Sequence, residues 1–146
     1  MHTTEAATEL LIRADNGIFA SIEQPWIKPS ERAYWIDFAA IAEYLGTLSG
    51  GEQRLLRIAA SIGSEEATPV RLGDVLSGLD RRTLRLVLAA VAHAGGSHQH
   101  SSLVISRDGR ATITKEPSLF MWDGEIRSAR TTVSTESATI SRLTSE

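Results

Sequence analysis

Three histidines, His93, His98 and His100, fall within Ala92-His93-Ala94-Gly95-Gly96-Ser97-His98-Gln99-His100. An H-x-H pair with a third imidazole nearby is a donor set that zinc or another borderline divalent ion accepts. No Asp or Glu lies within residues 81–107, so a fourth ligand would have to arrive from a distance. The simpler reading is a polar loop after a helix, with His93 near the helix C-terminus, where positive charge is favoured. That reading is taken, and no metal or other cofactor is expected. General acid–base work needs two groups whose pKa values are pushed apart. Asp37, Glu43, Asp74 and Asp80 are the carboxylates set among apolar neighbours, and half of them are accounted for as helix-start or exposed helix positions. There is no Gly-x-Ser-x-Gly elbow, and with no cysteine, thiol catalysis, disulfides and cysteine zinc sites are excluded. The chain is expected not to be an enzyme.

A second motif concerns phosphate. Leu48-Ser49-Gly50-Gly51-Glu52-Gln53 reads LSGGEQ, and this resembles the signature of ATP-binding cassette proteins. The resemblance extends to Arg54 through Ile62, similar to the family's post-signature helix, and to Ser77-Gly78-Leu79-Asp80, similar to its D-loop. It implies nucleotide binding through Ser49, Gly50, Gly51, Glu52 and Gln53, with a hydroxyl and N–H groups at a helix start meeting the γ-phosphate. The chain departs from the family elsewhere. It has no G-x-x-x-x-G-K-[ST] loop, and no lysine between Lys28 and Lys115. Asp74 stands where the family's magnesium aspartate would, but Val75 follows it in place of the glutamate. His93 comes too soon after Asp80 to serve as the family's switch histidine. Ser49 and Glu52 have the spacing of a capping box, which explains the motif as the start of a helix.

Arginines supply a third possibility. Arg81, Arg82 and Arg85 open a helix, while Arg107 and Arg110 sit at the tip of a hairpin, and three helices followed by a hairpin is the order of a winged helix. Those guanidinium groups could meet phosphates and a groove. Against it, the turn from Gly46 into the second helix is longer than a tight helix-turn-helix allows, and the last helix is too apolar to present a recognition face. Nucleic acid is thus a possible partner.

These residues need a scaffold. At 146 residues and 42% apolar content, the chain fits one domain with a core that needs no staples. Asn16-Gly17 between apolar runs predicts a hairpin over residues 8–23, the competing reading being a helix over 4–14 that stops there. Ser30 and Glu31 are read as opening a helix through Leu45, with Tyr34, Trp35, Phe38, Ile41, Ala42 and Leu45 at helical spacing. Helices are predicted over about 50–62 and 72–76. A further helix, capped by Asp80 and running through Ala92, is apolar nearly all round and so expected at the centre of the core. From Ser102 the period becomes two: 103–106 and 111–114 flank Arg107-Asp108-Gly109-Arg110 in the clearest hairpin. Asp123-Gly124 is read as a turn joining 120–122 to 125–127. From Ser128 onward 10 of 19 residues are Ser or Thr, the composition of a tail or arm.

The expected fold is α+β: residues 1–127 form one domain of central helices with antiparallel hairpins at both ends in one small sheet, and residues 128–146 form the tail. Net charge is −3, with 3 basic and 8 acidic groups in residues 1–52 but 8 and 5 in residues 53–110. Such a distribution could complement a partner or a second copy. Trp26, Tyr34, Trp35 and Trp122 could anchor such a contact. No signal-like start or apolar run suggests a membrane, so a cytoplasmic location is the default. The segment from Trp35 to His98 also resembles small uncharacterised proteins of actinobacteria and their phages, a resemblance that implies no activity. The expectation is a non-enzymatic interaction or assembly protein, possibly phage-related. The alternatives are a winged-helix-like nucleic-acid binder and a degenerate nucleotide-binding protein.

Overall fold

Residues 2–124 are described by the structure, a computed structural model. Helix α1 spans His2–Arg13. Its Ala6, Ala7, Leu10 and Leu11 recur on one face and are shut off from solvent, and that face packs against two later helices. The chain then turns through Asp15, Asn16 and Gly17, all with positive φ (45°, 58° and 79°). The hairpin expected over 8–23 is therefore replaced by the competing helix. Asn16-Gly17 does adopt the left-handed conformation its residue types favour, but it serves to stop a helix. Burial of the apolar stripe of α1 outweighs the local turn signal.

Strands β1 (Ile27–Pro29) and β2 (Tyr34–Ile36) pair antiparallel, Ile27 opposite Ile36 and Lys28 opposite Trp35. This corrects the helix expected from Ser30 to Leu45. Ser30 is a turn residue: its N–H and its hydroxyl both donate to the Ala33 carbonyl, at 2.7 and 3.0 Å. Tyr34-Trp35-Ile36 is aromatic and β-branched, and it pairs instead of coiling. Only Phe38–Thr47 is helical, as a 3-10 run capped by Asp37, whose carboxylate accepts from the Ala40 N–H. Beneath it the Trp26 indole N–H donates to the Phe19 carbonyl at 2.8 Å, fixing the chain between α1 and β1.

Helices α2 (Gly50–Gly63), α3 (Leu72–Leu76) and α4 (Arg81–Ala94) follow as expected. Asp80 caps α4, its carboxylate accepting from the Thr83 N–H at 2.7 Å. The expectation that α4 is buried on all sides is corrected. It packs mainly on α1, burying Leu86, Val87, Ala89 and Ala90 while Leu88 and Val91 face outward. Arg81, Arg85, Leu88 and Val91 recur at helical spacing and are exposed, so one face of the helix stays outside the core.

After a 3-10 turn at Ser97–Gln99, strands β3 (Ser101–Ile105) and β4 (Ala111–Lys115) make the expected hairpin, with Leu103 opposite Ile113. The return segment docks: the Leu119 N–H donates to the buried Ser97 hydroxyl at 2.7 Å, and Trp122 is buried under the Arg13 guanidinium. The fold is α+β, but its two hairpins form two separate two-stranded sheets rather than one. Residues 120–122 form no strand and Asp123-Gly124 is helical rather than a hairpin turn, while the partner strand expected at 125–127 and the Ser/Thr-rich segment 128–146 lie outside the described residues.

Candidate functional site

The imidazoles that meet are His2, His93 and His98. His100 stands apart, exposed at the start of β3. His2 opens α1, His93 lies in the last turn of α4 and His98 in the 3-10 turn. The His93 and His98 rings stack at 4.0 Å between centroids, and His2 meets His98 edge-on at 5.1 Å. His2 Nδ1, His93 Nε2 and His98 Nδ1 are buried with no hydrogen-bond partner among the described residues. The Glu5 carboxylate approaches His93 Nε2 at 3.4 Å, within ion-pair range but longer than an ordinary hydrogen bond. Burial holds the His98 pKa below its ordinary value, and the neighbouring His93 and His2 add to this, against Glu5. Among the described residues no group of three His, Asp or Glu side chains is placed to hold a metal ion. Sequence reasoning missed His2 because its partners are about ninety positions away. An α1 packed antiparallel on α4 would have brought the start of one to the end of the other.

The signature-like segment forms the start of α2. Ser49 caps it, its hydroxyl accepting from the Glu52 N–H at 3.3 Å, while the Gln53 amide donates to the Leu48 carbonyl at 3.0 Å. Gly50 and Gly51 lie in the first turn. The fold does bring Ser49, Gly51 and Glu52 to one recess of about 500 Å³ with Gly78, Leu79 and Asp80, so the two segments resembling ATP-binding cassettes are neighbours. Among the described residues that recess is lined by Asp15, Glu52 and Asp80 and by no Lys or Arg. Three like charges and no cation repel a polyphosphate, whatever the two helix N-termini attract. Arg54, the nearby cation, reaches instead over Gly50 and Gly78. Asp74 is outside this recess, in pockets flanked by Arg57.

The arginines divide between two places. Arg81, Arg82 and Arg85 open α4 beside Leu84, Leu88 and Phe120, and Arg85 pairs with Asp123 at 3.5 Å. Arg107 and Arg110 occupy the β3–β4 turn, where Arg110 pairs with Asp108 at 3.6 Å. The hairpin leaves from the opposite end of α4, roughly 20 Å of helix away from Arg81. Among the described residues Arg81, Arg82 and Arg107 carry no ion pair.

Of the four aromatic residues singled out as anchors, Trp26 and Trp122 are core, while Tyr34 and Trp35 are more than half exposed on β2. A larger apolar surface escaped the sequence reading. The register places Leu103, Ile105, Ala111 and Ile113 on one face of the β3–β4 hairpin, and Leu103, Ile105 and Ile113 are 65%, 67% and 76% exposed. Alternation of apolar with Ser and Thr announced a half-buried hairpin, but nothing in the pattern said that its apolar face would remain outside the core.

Comparison with protein-family models, with curated proteins and with solved structures finds no match. Neither the resemblance to ATP-binding cassettes nor that to small actinobacterial and phage proteins gains support from it. No helix among the described residues is long and apolar enough to cross a membrane.

Proposed function

We infer that the chain is a non-enzymatic interaction or assembly protein that docks another protein surface on the β3–β4 hairpin. The observation that carries this reading is the apolar face of Leu103, Ile105 and Ile113, left in water by the described residues. Exposed apolar surface of this kind costs about 25 cal/mol per Å² relative to burial, and such patches mark contact surfaces. Tyr34 and Trp35 offer a second, smaller anchor. A second copy of the chain presents the same face, so self-association is the first case to test. Light scattering on eluting protein, wild type against Leu103→Thr/Ile105→Thr/Ile113→Thr, should show assembly that the triple variant loses. A wild type that stays monomeric at all concentrations, and whose hairpin amide and methyl NMR signals stay unchanged in bacterial extract, would sink the proposal.

A second reading, binding of DNA or RNA, is favoured by Arg81, Arg82 and Arg107, which make no ion pair among the described residues. It requires duplex or single-strand retardation that weakens with salt and with Arg81→Ala/Arg82→Ala/Arg107→Ala. No retardation at low salt removes it.

A further inference from the structure

We propose that the cleft between the 3-10 helix Phe38–Thr47, α2 and α3 is a binding site for a small apolar carboxylate, such as a medium-chain fatty acid. This does not rest on the interaction reading, which concerns the other end of the molecule's sequence. The cleft encloses about 360 Å³. A water-sized group occupies about 30 Å³, so this is space for on the order of a dozen such groups, at the lower end of ligand pockets. Its floor is apolar: Phe38, Ile41, Leu45, Ala60, Ala67 and Val75 line it and are all buried. The floor is also held in shape. The Phe38 ring packs directly on Gly63, where a Cβ would stand 2.6 Å from it.

The rim supplies the polar group. Arg57 from α2 and Arg71 from the segment before α3 line the opening and are exposed. Neither makes an ion pair among the described residues. Among the described residues Asp74 is the one acidic residue on the lining, so the rim they form carries a net positive charge beside an apolar floor. An amphipathic anion matches both: its chain displaces water from the floor, and its carboxylate takes charge-assisted hydrogen bonds from a guanidinium. A neutral alkanol would gain only the first, and an alkylammonium would meet repulsion. Asp74 repels a dianion about twice as strongly as a monoanion at the same distance, so a single carboxylate is the better match, and it needs only one of the two arginines. The recess by Ser49 is the contrast within the same chain, since its lining is acidic and the same probe should avoid it.

The test is isothermal calorimetry on the full chain with decanoate, below its micelle-forming concentration, beside decanol and decylamine. The expected result is saturable binding of decanoate with one site per chain and at least tenfold weaker binding of decanol and decylamine. Arg57→Met/Arg71→Met should bind decanoate no better than decanol. Both arginines are exposed, so the variant is expected to fold, with circular dichroism as the check; Arg71→Gln alone, expected to weaken decanoate at least threefold, is the second variant. Ala42→Trp, at an exposed position on the lining, should obstruct all ligands. No saturable decanoate binding, several sites per chain, or decanoate affinity unchanged in both arginine variants would overturn the proposal.

Discussion

His93 and His98 lie face to face, 4.0 Å between ring centroids and 16° from parallel, joining the last turn of α4 to the loop that leads into the hairpin. Two imidazoles stacked at this distance cannot both carry a proton without mutual repulsion. His2 on α1 and Lys115 on β4 add positive charge around them, and Glu5 offsets part of it.

From this follows a pH dependence. Burial and the neighbouring imidazoles depress the His98 pKa from its ordinary 6.5, so below that pH the unfolded chain takes up a proton that the folded chain resists. Stability from this source is complete above about pH 6.5 and falls as pH drops through the interval below it. Denaturant unfolding followed from pH 7.5 to pH 5.5 should show the loss, and His98→Asn should flatten it. A His100→Asn control should keep the slope, because His100 stands outside the cluster. An identical slope in the two variants would show that His98 is not its source.

Ser49→Ala removes the cap of α2 and should cost about 1 kcal/mol of stability, read from urea midpoints. Mg²⁺-ATP should leave the melting temperature of the wild type unchanged, because among the described residues three acidic side chains and no cation line the recess at Ser49. A ligand bound only by the folded state must raise its stability. Saturable stabilisation by Mg²⁺-ATP that disappears in Ser49→Ala would restore the nucleotide-binding reading.

Two glycines of α2 should respond in opposite ways to alanine. At Gly63 the new Cβ meets the Phe38 ring at 2.6 Å, and the enforced shift should cost about 1–3 kcal/mol. At Gly51 nothing lies within 4 Å, and the lower entropy cost of alanine in a helix should leave stability level or raise it by about 0.5 kcal/mol. Equal effects at the two positions would mean that Phe38 yields freely.

Trp26→Phe should destabilise by about 1–3 kcal/mol, because the Phe19 carbonyl loses its buried 2.8 Å donor. Chemical denaturation measures it directly. A loss well under 1 kcal/mol would mean that water replaces the indole N–H.

How much of this was legible in the sequence depends on whether a signal was local. Ser49, Asp80 and Gly109 announce helix starts and a turn through short-range chemistry, and α2, α4 and the β3–β4 hairpin lie where those signals put them. Asn16-Gly17 shows the limit: its positive φ values were readable, but whether they close a hairpin or stop a helix was decided by what Leu10 and Leu11 pack against. Ser30 failed in the same way, since a cap and a turn use the same hydroxyl. The histidine cluster was half legible. His93 and His98 were visible as neighbours, while His2 joins them only through the packing of α1 on α4. The cleft between Phe38 and Val75 was not legible at all, because it is a gap between elements rather than a pattern within one.

The β3–β4 hairpin, which among the described residues is held mainly by its own ladder and hardly leans on the helices, carries a thermodynamic consequence of its own. Its amides should exchange with solvent deuterium through a local opening whose free energy is far smaller than that of the helical body. The heat absorbed on melting of the free chain then comes mostly from the helical body and the segments packed on it, and a partner that clasps the hairpin adds its own heat of release to that transition.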